Sequence, residues 1–204
     1  INDSLPLSSL SGSEIDDTVV DAANYALSAG GKRIRPVIAS AVGERCYGID
    51  LDALMPVLRS IEYMHSASLI FDDLPAQDNS QFRRGRPTLH VKYGNEYTAE
   101  LAGIFMMVKA FEEQASLKGF DRQCILDVIH FSAQSVTEMC KGQYMDLEAA
   151  GKQLSLKELE LLSRYKTGIA IECSVVIPAM LAKASEDEIE GLRRFAAHAG
   201  IAFQ

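Results

Sequence analysis

Three carboxylates and three guanidiniums fall within fifteen residues of this 204-residue chain: Asp72, Asp73 and Asp78 in DDLPAQD, then Arg83, Arg84 and Arg86 in RRGRP. Such a group can be nothing more than a helix end with solvated ion pairs. The spacing allows a more definite reading. On a straight helix at about 100° per residue, Asp78 would point roughly 120° away from Asp72, and the two could not share a cation. Pro75 interrupts the helical ladder and permits a turn that brings Asp78 back toward Asp72. Hard carboxylate oxygens on a turn suit Mg²⁺, which takes one or two protein carboxylates and completes its octahedron with water and substrate phosphate oxygens. No Cys or His stands in the cluster, which argues against zinc. Guanidinium forks bind phosphate bidentately. Carboxylates, a magnesium ion and arginines together describe a clamp for a diphosphate.

The elements that must position this clamp read as helices. Upstream of Asp72, the apolar positions Ile61, Met64, Ala67, Leu69, Ile70 and Phe71 fit a largely buried helix over 51–71. A second basic cluster, GGKRIRP, opens a helix over 36–46, with Pro36 as its fixed start and Lys32 and Arg35 spaced to share one helical face. It is no phosphate loop of the GxxxxGK[ST] type, because that spacing is missing. Residues 1–12 are polar and Ser-rich and are expected to form a mobile arm; Ser13, with Asp16 three residues on, caps a helix that stops at Gly30-Gly31. Residues 87–95 read as loop. Further helices are expected over 96–117, 121–150, from Ser155 to a break at Lys166-Thr167-Gly168, over 169–182, and over 188–204. No run of alternating β-branched residues with hairpin turns occurs. The expected fold class is all-α.

Composition narrows the function classes. Hydrophobic residues make up 48% and charged residues 24%, with no apolar run near the roughly 20 residues of a membrane span. No linker-like segment divides residues 1–204, so one domain is expected. A net charge of −8 argues against a nucleic-acid surface. Six of the twenty basic residues nevertheless lie in the two clusters, which suits a small anionic substrate focused into a cleft. Cys46, Cys124, Cys140 and Cys173 show no CxxC pairing and read as buried free thiols in a reducing, cytoplasmic setting. No signal peptide is expected, although the opening at Ile1 rather than Met leaves room for residues ahead of it.

The stretch HSASLIFDDLPAQDNSQFRRGRPTLHVKYG resembles the first aspartate-rich motif of the trans-isoprenyl diphosphate synthases, in its DDxxxxD spacing, its RRGxPT and a histidine seven residues before the first Asp. GGKRIRP, GQYMDL and the KTG break resemble further motifs of that family, in the same order. The resemblance implies an isoprenoid-synthase-type helical bundle around a central cavity. It implies Mg²⁺ at Asp72, Asp73 and Asp78, isopentenyl diphosphate at Lys32, Arg33, Arg35, His65 and Arg84, and an allylic diphosphate at Arg83, Lys166, Thr167 and Gln204. Gln143 and Asp146 would line the cavity. It also implies a homodimer. Ala67 and Ser68 lie about 6 to 7.5 Å deeper along the helix than Asp72; in the family a bulky residue there stops the growing tail, so these small residues imply a product longer than fifteen carbons, geranylgeranyl diphosphate or somewhat longer.

Two departures accompany the resemblance. AGIFMM stands where family members often carry a Gly-Asp pair, and the sequence stops at FQ, just where a second aspartate-rich motif would begin. A C-terminal part beyond Gln204 is therefore expected. A non-catalytic or regulatory subunit stays open as an alternative, since the early end favours it while the intact DDxxxxD and arginines oppose it. A terpene cyclase would share the carboxylates but has no use for GGKRIRP or His65.

Overall fold

The computed structural model describes residues 1–8 and 17–203; the expected cap at Ser13 with Asp16, and Gln204, lie outside the described residues. The described residues are helical apart from connecting loops and one short hairpin, as expected for an all-α chain. Two compact units divide it: Ile1–Arg33 with Arg59–Glu113, and Ile34–Leu58 with Gln114–Gln204.

The first unit contains α1 (Thr18–Ser28), the larger part of α3 (Leu51–Asp72), a hairpin of β1 (Phe82–Arg83) and β2 (Arg86–Pro87), α4 (Leu89–Tyr93) and α5 (Glu96–Ala115). Helix α4 lies within residues 87–95, expected to be loop, and the hairpin stands just ahead of it, where no strand was expected. Their signals, a two-residue turn and a five-residue helix, are shorter than periodicity can register. Ala22, Ala23 and Leu27 of α1, Ile61, Tyr63, Ala67 and Ile70 of α3, and Ala102, Met106 and Ala110 of α5 are buried, and small residues let the helices approach closely. At Gly103, an added Cβ would lie 2.7 Å from the Phe71 ring.

Residues 1–8 correct the expectation of a mobile arm. Leu5 and Leu7 are buried. The Asn24 side chain pairs with both backbone groups of Leu7, accepting from its N–H at 2.8 Å and donating to its carbonyl at 2.9 Å. The Tyr63 hydroxyl donates to the Leu5 carbonyl at 2.9 Å. Two leucines in a polar segment were too few to show a period, yet they suffice to dock it.

The second unit contains α2 (Ile34–Ala41) with a wide turn at Val42–Cys46, the first turns of α3, α6 (Arg122–Ala149), α7 (Leu156–Ser163), α8 (Ile169–Leu181) and α9 (Glu186–Phe203). Helix α8 is its centre. Ile171, Val175 and Val176 pack with Ala196 of α9 and are flanked by Ile38, Phe131 and Leu192. The helix starts follow local chemistry. Asp121 accepts from the N–H groups of Gln123 and Cys124, and Ser155 forms a reciprocal capping box with Glu158. Ser185 and Glu188 make a similar exchange, so α9 begins at Glu186 rather than 188. All four cysteines are free; Cys124 and Cys173 are buried, whereas Cys46 and Cys140 are exposed, contrary to the expectation of buried thiols. Burial pushes the Cys173 thiol up to about 12, which leaves it protonated and inert near neutral pH.

Burial, reinforced by Glu113, also pushes the Tyr63 phenol up to about 12, against 10.0 ordinarily. The folded state then keeps a proton that the unfolded state has lost. This contribution is fully present below about pH 10 and disappears as pH rises toward about 12. Urea unfolding across that range should show the loss in the native protein and a flatter response in Tyr63→Phe. Tyr63→Phe should also cost about 1–2 kcal/mol at pH 7, because the Leu5 carbonyl loses its donor.

Candidate active site

In the first unit, α3 ends at Asp72 and the chain folds back through Pro75. The Asp78 N–H donates to the Asp72 carbonyl at 2.9 Å, the Asn79 N–H to Leu74 at 3.0 Å, and the Ser80 N–H to Asp73 at 3.2 Å. This closed loop places Asp78 beside Asp72 in a way that a continued helix could not. It agrees with the turn read from Pro75.

Asp73 has a different place. Its carboxylate is nearly buried and accepts two parallel hydrogen bonds from Arg83, Nε to Oδ2 and Nη2 to Oδ1, each 2.7 Å. Asp73, expected to share the metal, and Arg83, expected to hold the allylic diphosphate, here bind each other. The pair leaves the Arg83 Nη1 outside it. The Asp73 hydrogen bonds, with smaller contributions from the charges of Asp73, Asp72 and Asp78, raise the Arg83 pKa against the opposing effect of burial.

Asp72 and Asp78, on either side of the closed loop, could supply carboxylate donors to a cation. Among the described residues, no three His, Cys, Asp or Glu side chains are grouped closely enough to hold a metal ion by themselves. Two carboxylates on a turn, with no thiolate or imidazole, fit Mg²⁺ completed by water and phosphate oxygens, and do not fit a structural zinc site.

The arginines and the glycine loop form the second part of this unit's site. Arg84 and Gly85 occupy the hairpin turn with φ of 53° and 75°, the left-handed pair that tight hairpins demand. The Arg84 Nη1 donates to the Gly30 carbonyl, and its guanidinium lies 2.7 Å from where a Cβ on Gly31 would stand. Gly31 also has a φ of 133°, which disfavours any side chain. Burial and the charges of Arg33 and Arg83 lower the Arg84 pKa, against an opposing effect of Glu62; the concentration of positive charge invites an anion. Lys32 is exposed, and His65 sits half-buried on α3.

Arg33, expected to contact isopentenyl diphosphate, has a buried guanidinium paired with Glu62 that donates to the Leu27 carbonyl at 2.6 Å and to Asn2 at 3.0 Å. These ties hold the loop. Helix α2 starts only at Ile34, so Lys32 precedes it and does not share a helical face with Arg35, contrary to the sequence expectation. Glu62, which sequence reasoning passed over, had one signal: an acid inside an apolar helix needs a partner.

In the second unit, Arg164–Gly168 forms a π-type turn in which the Ile169 N–H reaches back to the Arg164 carbonyl. Lys166 and Thr167 lie on it, Thr167 buried and Lys166 in an ion pair with Asp146 of α6. Gln143 is half-buried on the same helix. Two glycines clamp the turn. A Cβ on Gly142 would come within 2.7 Å of the Tyr165 carbonyl carbon, and one on Gly200 within 2.6 Å of the Gly168 Cα.

Solved structures show this helical architecture. An FPP/GFPP synthase from Zymomonas mobilis is 31% identical with a TM-score of 0.89, matched over 99% of this chain and 72% of its own. The fold is thus of the isoprenoid synthase type. The polyprenyl synthetase family model matches residues 16–204, and the chain belongs to that family. A geranylgeranyl diphosphate synthase of Cyanophora paradoxa is 40% identical over 91% of this chain and 63% of its own length. A farnesyl diphosphate synthase of Bacillus subtilis is 38% identical over 94% and 65% respectively. The chain therefore spans a little under two thirds of these curated relatives.

The clamp yields a direct expectation. Alanine gains up to about 1 kcal/mol over glycine in a helix, but here the obstructing atoms are backbone, and overpacking costs about 1–3 kcal/mol. Gly142→Ala and Gly200→Ala should each lower the urea midpoint; an unchanged or raised midpoint would show that the turn has room.

Proposed function

We propose that the whole protein is a Mg²⁺-dependent trans-prenyltransferase that condenses isopentenyl diphosphate with an allylic diphosphate, giving geranylgeranyl diphosphate or a somewhat longer product. The observation that carries this reading is the closed Pro75 loop, which sets Asp78 against Asp72 beside an arginine hairpin. Family membership supports it. Magnesium, when bound, would take up negative charge on the departing pyrophosphate. Asp72 and Asp78 would hold it. Lys32, Arg35, His65 and Arg84 are assigned to isopentenyl diphosphate, with Arg84 fixed at its hairpin turn. Arg83, oriented by Asp73, is assigned to the allylic diphosphate, as are Lys166 and Thr167; Asp146 would hold Lys166 extended until substrate competes for it. Preorganised cations of this kind stabilise developing charge without reorganising. In this reading the released pyrophosphate accepts the proton, and no protein base is assigned.

Product length rests on Ala67 and Ser68. Ala67 is fully buried, and the Ser68 hydroxyl folds onto the His65 carbonyl at 2.8 Å, so neither projects bulk. Incubating the full-length protein with Mg²⁺, isopentenyl diphosphate and farnesyl diphosphate should give products of twenty carbons or more. Termination at fifteen carbons would refute the small-residue argument, and the absence of any condensation would refute the activity.

A second copy of the chain is the proposed partner. On α5, Tyr97, Leu101, Ile104 and Val108 are 65%, 49%, 52% and 59% exposed, an apolar stripe at helical spacing. Light scattering should give twice the chain mass, and Ile104→Arg should return it to the monomer. A monomeric native protein would exclude this arrangement.

A further inference from the structure

We propose that Tyr25 is a positioning residue, a clasp on α1 that fixes the Arg83–Pro87 hairpin and thereby places Arg84; this rests on the diphosphate role given to Arg84 above. Three contacts converge on the clasp. The Arg86 Cζ lies 3.9 Å from the centroid of the Tyr25 ring and the Lys92 Nζ lies 3.7 Å from it, so one ring serves two cations. The Tyr25 hydroxyl donates to the Pro87 carbonyl at 3.0 Å. Arg86 also donates to the Ser28 hydroxyl at 3.1 Å, one turn further along α1. Both residues of β2 are thus tied to α1.

The hairpin needs such a tie. Two strands of two residues are not stable alone, and its turn holds Arg84 in a left-handed conformation that disfavours a side chain. Its two working arginines are not equally secured. Arg83 has its own bidentate anchor in Asp73, whereas the Arg84 side chain is tied to the Gly30 carbonyl of a glycine loop. Because Arg83 pairs with Arg86 in the ladder and Arg84 follows at the turn, loosening β2 releases Arg84 first. Tyr25 and Lys92 therefore act on isopentenyl diphosphate through Arg84, while the allylic side is buffered by Asp73.

The test uses the full-length protein carrying Tyr25→Leu, Tyr25→Phe or Lys92→Met, the last an exposed substitution that leaves the core intact. Two readouts are taken, amide hydrogen exchange over residues 80–88 and steady-state kinetics with each substrate varied. Loss of both cation–π contacts in Tyr25→Leu should accelerate exchange over 80–88 about tenfold and raise KM for isopentenyl diphosphate about five- to thirtyfold. KM for the allylic substrate and kcat should stay within about threefold. Tyr25→Phe keeps the ring and should restore most of the affinity. Lys92→Met should weaken isopentenyl diphosphate binding by a smaller factor and have no further effect in the Tyr25→Leu background. Unchanged exchange over 80–88, equal rises in both KM values, or full additivity of the Lys92 and Tyr25 effects would overturn the clasp. A native protein that exchanges as expected yet condenses nothing would sink the functional reading and leave the clasp standing.

Discussion

The ion pair between Asp73 and Arg83 is the interaction on which the first unit's site depends. It joins the end of the buried helix α3 to a hairpin too short to hold itself, and it does so at a carboxylate shielded from water, where a two-fold hydrogen-bonded pair is strongest. Removing either partner would strand the other with part of its hydration lost, which is why such pairs are costly to break. The pair also divides the labour of adjacent, chemically identical residues. Asp73 orients an arginine, while Asp72 and Asp78 can attend to a cation. Neighbouring carboxylates that all stayed ionised on one metal-free turn would repel one another, and the guanidinium relieves that repulsion.

Strain gathers around the same place. Among the described residues, the non-glycine positions with positive φ are Arg33, Asn79, Arg84 and Lys183, and the first three flank the candidate site. Each has a compensating tie: Arg33 to Glu62, Asn79 to Leu74 and Arg84 to Gly30. The second unit applies the same logic by a different route. Its π-type turn widens the helix to present Lys166 and Thr167, and glycines on α6 and α9 close against that turn so tightly that a methyl group would displace it.

Much of this was legible in the residues themselves. The apolar period of α3, the break at KTG, the helix starts at Asp121 and Ser155 and the return forced by Pro75 all follow from local rules that sequence expresses directly. What escaped was non-local. Nothing in the spacing of DD distinguishes Asp72 from Asp73; only the arrival of Arg83 from ten residues away does so. Arg33 looked like one more phosphate ligand among basic neighbours, and its burial depends on Glu62, twenty-nine residues on. The hairpin was invisible because its strands are two residues long, and Tyr25 because an aromatic on an amphipathic helix reads as core until its cations are in place. The docking of residues 1–8 likewise depended on Asn24 and Tyr63, which the segment's own composition does not announce.

The division of roles between the aspartates can be measured by titrating Mg²⁺ into the full-length protein in the presence of an unreactive allylic diphosphate analogue, comparing the native chain with Asp72→Asn, Asp78→Asn and Asp73→Asn. The account predicts that the Asp72 and Asp78 substitutions each abolish the Mg²⁺ dependence of analogue binding, whereas Asp73→Asn keeps that dependence and weakens binding only through a misplaced Arg83. Equal loss of Mg²⁺ dependence in all three variants would contradict it.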